Sequence, residues 1–333
     1  MNEPAAVRLS FACGDYDRVR ALRDGRVRAE GIELVFLPLG PEEIFFRQLV
    51  YQEFDVSEMS LGSYVASIAH GDGGLVAIPV FPSRAFRHSA AYVHTGAGIS
   101  CPEELRGKRV GVAEYALTAN VWLRGILEDE HGVHPRDVRW FQGGLDDPGR
   151  REKSRLPLAT DVRIEELPEG ETLTTMLVRG DLDAIFSPRL PRPFVRGSPA
   201  VVRLFPDYRR IEADYYRRTR IFPIMHTVVI RRDVYERDRW IAQSLTKALA
   251  QAKAACLDAI YTTAAFPYAL PWMHEEVETV RALIGPDWWP YGIAANRPTL
   301  ETFLRYAEAQ GITGRHVAVE ELFAPETLET FRI

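Results

Sequence analysis

The stretch RVGVAEYALTANVWLRGILEDEHG, Arg109 to Gly132, decides the fold. Val110 and Val112 favour extended backbone, so RVGVA is a short strand. EYALT is a loop, and ANVWLRGILEDEHG is a helix that Gly132 stops. The same strand–helix unit recurs on both sides. Upstream, VRLSFA (Val7 to Ala12) and GIELVFLPL (Gly31 to Leu39) are strand candidates. PEEIFFRQLVYQ is a helix whose first turn carries Pro41 and two glutamates that complement its dipole. FDVSEMSLGSYVASIAHG gives a very short strand, a turn at Ser57 to Ser60 and a helix ending near Gly71, and the apolar run GLVAIPVF is a buried strand. Downstream, GETLTTMLVRGDLDAIFSP is a helix, a turn at Gly180–Asp181 and a strand. A β-branched strand at Thr227 to Ile230 precedes a long amphipathic helix from about Arg239 and a mainly helical remainder. Alternating strands and helices imply open parallel sheets covered on both faces. The polar segment Gly143 to Asp161 is a loop, since the series resumes beyond it.

Composition bounds the function. The chain has 333 residues, 46% hydrophobic and 26% charged, which is enough for two domains of ordinary soluble character. A net charge of −5 gives no whole-chain signature for nucleic acid or an anionic membrane, so an anion site must be a local cluster of positive charge. Cys13, Cys101 and Cys256 are widely spaced, without CxxC or zinc spacing, which favours a reducing compartment. No secretory signal and no apolar run of ~18 residues is visible, so a cytoplasmic location is expected. GxGxxG after the first strand, Walker, HExxH and GxSxG motifs are all absent. His131 and His134, three apart at a helix end, read as solvated surface, so no metal-ligand set is visible, which leaves metal assistance open.

The order of these segments resembles the type II periplasmic-binding-protein fold. Within it, FDVSEMSLGSY, LVAIPVFPSRAFRH, RVGVAEYALTANVWLRGIL, DLDAIFSPRLP, FPIMHTVVIRRDVY and WWPYGIAANRPTLETFLRYAEAQGI look like the 4,5-dihydroxyphthalate decarboxylase family, in order and across most of the chain. The resemblance implies two α/β domains, each an open, mainly parallel sheet flanked by helices, with a ligand cleft between them. Residues 1–95 plus 222–333 would form a discontinuous first domain with the C-terminal helices, and 96–221 the second. The crossings would lie near YVHTG and RIFPIMH, putting His94 and His226 at or beside the hinge.

Candidate site residues follow from strand ends, which in open α/β sheets face the crevice. FPSRAFRH places Arg84, Arg87 and His88 there, and Arg can grip a carboxylate with two parallel hydrogen bonds. Arg84 is the better clamp, while Arg87 can equally pair with a surface acid. In EYALTAN, Thr118 can cap a helix whose free N–H groups attract an anion, with Asn120 beside it and Glu114 able to accept a phenolic proton. His226, closing FPIMH, is an acid–base candidate. Ser187 and Arg189 in SPR offer a second clamp, and Ser60 in SEMS offers a hydroxyl, with Glu58 as an alternative helix cap. The cluster DWWPYG (Trp288, Trp289, Tyr291) reads as packing and as a hint of a homo-oligomer.

The resemblance implies loss of CO2 from a hydroxylated aromatic acid. A hydroxyl para to the carboxylate pushes electrons into the ring, an acid protonates the carbon bearing the carboxylate, and CO2 departs. Arg84 with Arg189 would hold the neighbouring carboxylate, His226 or His88 would deliver the proton, and Glu114 would serve the hydroxyl. The ring is its own electron sink, so no organic cofactor is expected. The rival is a non-catalytic binding protein or sensor for a small carboxylate, which needs arginines but no positioned acid.

Overall fold

The computed structural model describes residues 6–149, 162–262, 264–266 and 268–329, so most of the loop expected at 143–161 lies outside the described residues. The chain opens with β1 (Val7–Cys13), α1 (Asp17–Arg23), β2 (Ile32–Pro38), α2 (Pro41–Tyr51), β3 (Val56–Ser60), α3 (Leu61–Ala69) and β4 (Leu75–Arg84). It continues with β5 (Ala91–His94), β6 (Arg109–Val112), α4 (Thr118–His131), β7 (Arg139–Gln142) and β8 (Ile164–Glu166). Next come α5 (Leu173–Arg179), β9 (Ala184–Phe186), α6 (Arg192–Val195), β10 (Val201–Arg203) and α7 (Tyr208–Thr219). After β11 (Ile224–Arg231) the described chain is helical: α8 (Arg232–Arg237), α9 (Trp240–Tyr261), α10 (Met273–Ile284), α11 (Arg297–Ala309) and α12 (Val319–Leu322).

The strands form two sheets, ordered β2-β1-β3-β11-β4 and β10-β5-β9-β6-β7-β8. In the first, β1 runs parallel to β2 and β3; in the second, β6 to β9 are parallel where they pair. β11 and β5 run antiparallel to both of their neighbours. Each is the strand by which the chain enters a sheet after crossing from the other. A chain arriving at the edge where the parallel strands end can only run back against them.

The quoted Arg109–Gly132 unit forms as its residues dictate. Val110 and Val112 are buried on β6, and Gly132 ends α4 at φ 62°, a left-handed position suited to glycine. The turn expected at Ser57–Ser60 is instead strand β3, buried at every position. Its polar residues read as a turn, yet in the centre of the sheet they face hydrogen-bonding partners rather than water.

The sheets also move the expected boundary. Ala91–His94 belongs to the second sheet, so the first crossing is Ala85–Ala90, which begins within the octapeptide FPSRAFRH. His94 pairs with Val201 and donates its N–H to the Asp183 carbonyl, at the end of β5 farthest from the crossing, so it is not a hinge residue. The two crossings are bonded to each other. Ala85 N–H donates to the Pro223 carbonyl (3.1 Å), and Phe86 stacks on Phe222 with ring centroids 4.8 Å apart. Nor do the C-terminal helices serve the first sheet alone. Trp122 of α4 packs on Phe303 and Tyr306 of α11, and Arg124 donates to Gln310 (2.8 Å), while Phe323 bridges to Ala77 of β4. The chain end therefore ties the two units together.

Arg84, the expected clamp, is a pin for this hinge. It is 6% exposed, and its terminal nitrogens donate to the Phe222 carbonyl (3.0 Å), the Pro290 carbonyl (2.7 Å) and Asn296 Oδ1. Burial pushes its pKa down to about 9. The aromatic cluster is likewise spent inside the molecule. Trp289 Nε1 donates to the Phe81 carbonyl (2.9 Å) and Tyr291 packs against the core. Arg84→Met keeps the length but strands buried acceptors, at about 1–3 kcal/mol each. We expect its urea midpoint to fall by the equivalent of about 3 kcal/mol, with an unchanged slope.

Candidate active site

At the ends of the parallel strands of the first sheet lies a buried carboxylate. Glu58 on β3 has no exposed surface, and four donors surround it. Gly14 N–H (2.9 Å) and Cys13 Sγ (3.7 Å) approach Oε2, while Tyr16 O–H (2.8 Å) and His226 Nδ1 (2.5 Å) approach Oε1. The pairing explains the convergence. β1 and β3 are parallel with Ala12 opposite Ser57, so the end of β1 arrives beside Glu58, and antiparallel β11 sets His226 opposite Ser60 on the same face.

Gly14 makes the Tyr16 contact possible. A Cβ on Gly14 would stand 2.6 Å from the Tyr16 ring, which folds back over the strand end to reach Glu58. Burial pushes the Glu58 carboxyl upward, but the facing His226 and the hydrogen bonds from His226, Gly14 and Tyr16 more than offset it, so the group is held below the usual carboxylate range. Burial and the Glu58 charge push both the Cys13 thiol and the Tyr16 phenol well up. These two stay protonated as donors. His226 keeps part of its ring at the surface (18% exposed), and its Nε2 makes no hydrogen bond among the described residues. The product is a histidine oriented by a buried carboxylate, with one nitrogen free for proton transfer.

β4 breaks register beside this pair. Ser83 faces His226 and Ile78 faces Val228, so Pro79–Pro82 stand opposite Thr227 alone. Two prolines fit there because β4 is an edge strand and the segment bulges from the ladder. Thr227 Oγ1 patches the gap by donating to the Ile78 carbonyl (3.1 Å). The freed Pro82 carbonyl takes Arg18 Nε (2.5 Å), from the first turn of α1. The Arg18 guanidinium lies 4.2 Å from the Tyr16 ring centroid and 4.4 Å from that of Trp289.

The second unit meets this edge at Thr118, which does not cap α4. Leu117 holds the cap position, and Thr118 Oγ1 instead bonds Ser60 Oγ (2.9 Å) and accepts from Gly62 N–H (2.9 Å) across the cleft. A Cβ on Gly62 would come within 3.0 Å of the Ala116 carbonyl, so glycine permits the approach. Ser60, not Glu58, caps α3. Asn120 donates to the Glu114 carbonyl (3.0 Å) and leaves a buried Oδ1 without a partner, and Glu114 is buried in the same loop.

Other expected residues lie elsewhere. Arg87 Nε contacts Met225 Sδ (3.0 Å) in the hinge, where burial lowers its pKa to about 10. Ser187 Oγ closes a local turn on the Arg189 carbonyl (2.8 Å), and Arg189 forms an exposed ion pair with Glu42 (3.0 Å), a contact of small energy. His88 does not fit the role of proton donor. It is 1% exposed between Phe205 and Tyr215, and burial pushes its pKa down to about 4, so it is neutral at pH 7. Glu212, 3.8 Å away, is pushed by burial up to about 7.

Sequence reasoning missed Tyr16 and Arg18 and took Glu58 for a cap. The signal for Glu58 was a charged residue at the centre of a strand flanked by Val56 and Met59. Among the described residues, no group of three or more His, Cys, Asp or Glu is gathered to hold a metal ion.

Comparison with known proteins decides the family. The chain is 43% identical over 327 residues to a 4,5-dihydroxyphthalate decarboxylase of Comamonas testosteroni, covering 98% of this chain and 99% of that protein. The chain belongs to the 4,5-dihydroxyphthalate decarboxylase family. A Pseudomonas putida protein of the same name is 47% identical over 209 residues, covering 63% of this chain and 81% of that one. No protein-family model matches. The fold is that of periplasmic binding proteins. The periplasmic aliphatic sulphonate-binding protein SsuA of Escherichia coli superposes with a TM-score of 0.51 at 13% identity, over 98% of this chain and 99% of that one. A sulfonate-binding SsuA of Methylobacillus flagellatus gives 0.54 at 13% identity, over 98% and 94%.

His88 generates a pH prediction. Its folded-state pKa lies below the unfolded value of 6.5, so the folded chain binds fewer protons. Its contribution is present above 6.5 and lost as pH falls toward about 4, up to about 3 kcal/mol. Between pH 6.5 and 4, urea titrations should therefore show wild type losing up to about 3 kcal/mol more stability than His88→Leu, and parallel curves would refute the assignment.

Proposed function

We propose that this chain decarboxylates 4,5-dihydroxyphthalate to 3,4-dihydroxybenzoate, with His226 as the proton donor. The observation that carries the reading is the 2.5 Å hydrogen bond from His226 to fully buried Glu58. A binding protein has no use for such a pair, and family membership supplies the reaction class.

In the substrate each carboxylate has a hydroxyl para to it, whose oxygen feeds electrons toward the carbon bearing that carboxylate. His226, as imidazolium, gives its Nε2 proton to this carbon and a C–H bond forms. The C–C bond to the carboxylate then breaks, its electron pair restores the aromatic ring, and CO2 leaves. Glu58 holds Nδ1–H throughout, fixing the ring orientation and stabilising the positive state of His226. Neutral His226 reloads from water, which supplies the single proton that the reaction consumes. Glu114, buried on the opposite unit, is the proposed acceptor for the hydroxyl proton and returns it to the same oxygen as CO2 leaves, and Thr118 and Ser60 line the contact between units. Free cysteines at 13, 101 and 256, two of them buried, favour a reducing compartment such as the cytoplasm. Among the described residues no helix is long and apolar enough to cross a membrane.

Purified protein mixed with 4,5-dihydroxyphthalate should release one CO2 per 3,4-dihydroxybenzoate formed. His226→Asn should lower kcat by ~10²–10⁴-fold with KM little changed, the usual loss for a positioned acid. His88→Asn, measured per folded molecule, should keep near wild-type kcat. Equal kcat in wild type and His226→Asn would overturn the assignment.

A further inference from the structure

We propose that Arg18 is the residue that grips the carboxylate retained in the product, and so selects ortho-dicarboxylates. The inference rests on the decarboxylase reading of the site but stands on its own geometry. Arg18 starts from α1, beside β1, yet its Nε reaches the Pro82 carbonyl on β4, at the far side of the sheet. To do so it passes over the ends of β3 and β11, the strands that carry Glu58 and His226. Pro82 adjoins Ser83, which pairs with His226, and paired strands lie about 4.8 Å apart. The guanidinium is thus held at the edge where Nε2 of His226 is free.

Its orientation is fixed on every side. The guanidinium lies over both the Tyr16 ring and the Trp289 ring. Nε is bound to the Pro82 carbonyl and one terminal nitrogen to Asp17 (3.0 Å). The other terminal nitrogen donates to nothing among the described residues, and it is absent from the buried unpartnered atoms, so it keeps some accessible surface. Only 16% of the side chain is exposed. A cation lying over two rings loses little further rotamer freedom when it takes a ligand, and its open terminal nitrogen can donate to a carboxylate. Arg84 lacks this opening, its terminal nitrogens being committed to hinge acceptors.

The link to chemistry runs through Tyr16, which touches Arg18 with its ring and Glu58 with its hydroxyl. In an ortho-dicarboxylate the retained carboxylate is attached to the carbon next to the reacting one. A clamp one strand from the proton donor therefore places the reacting carbon under His226.

The test compares binding of 3,4-dihydroxybenzoate, which keeps the gripped carboxylate, with catechol, which lacks it. Calorimetry on the wild type should show preference for 3,4-dihydroxybenzoate. Arg18→Gln should weaken 3,4-dihydroxybenzoate by roughly ten- to a hundredfold while leaving catechol unchanged, so retained catechol binding reports a folded site. Arg18→Lys, which keeps charge without the fork, should fall between. If both variants keep the wild-type preference, or both weaken the two ligands equally, the clamp is refuted. A wild type that prefers 3,4-dihydroxybenzoate and loses this in Arg18→Gln, yet releases no CO2, would sink the decarboxylase reading and leave the clamp standing.

Discussion

A carboxylate without solvent contact has to recover from the protein the donors that water supplied, because an unpaired buried charge is too costly to keep. Glu58 is that carboxylate, and much of the first sheet is arranged to meet its need. Gly14 N–H and Cys13 come from the end of β1, Tyr16 from the turn that follows, and His226 from β11. The last donor imposes the topology. β11 lies between β3 and β4 but is reached only after the chain has built the second sheet and returned. A chain that stopped after one sheet would leave Glu58 without its strongest partner.

Two crossings are therefore needed, and they have to be held together. Ala85 bonds Pro223, Phe86 stacks on Phe222, and Arg84 reaches past both to Pro290 and Asn296. The cationic density of FPSRAFRH answers this demand. An arginine can serve several carbonyls at once from a buried position, which a neutral side chain of the same length cannot. The C-terminal helices add a second tie through Trp122, Phe303 and Tyr306. Relative movement of the units has to work against both ties.

The strand–helix order, the two-sheet architecture and the family were legible because each rests on local patterns that repeat. Val110, Val112 and Gly132 announce a strand and a helix end regardless of what packs on them. The site was legible only in part. His226 was a candidate from its place before an apolar strand, but its partner Glu58 lies 168 positions away, and no spacing rule connects them. Arg84 and Arg18 show the same limit from both sides. Both are arginines near strand ends, and nothing local tells which one finds carbonyl acceptors and which keeps a nitrogen free. The outcome depends on Pro290 and Asn296 in one case and on Trp289 in the other, all supplied from a distant loop.

The division of labour between the units follows from where these contacts fall. Glu58, His226, Tyr16 and Arg18 all belong to the first sheet and its connections, so the proton relay and the proposed clamp exist within one rigid frame. The second unit contributes Thr118, whose hydroxyl already bonds Ser60 and Gly62 across the cleft. These Thr118 contacts are neutral hydrogen bonds, each worth about 1 kcal/mol and readily exchanged for water. Binding proteins of this fold need domain contact mainly to enclose a ligand. Here the same contact would enclose the site beside the His226–Glu58 pair. That pair lies within the first sheet, so its geometry is set without residues of the second unit, whereas the proposed hydroxyl acceptor Glu114 arrives only with the second unit.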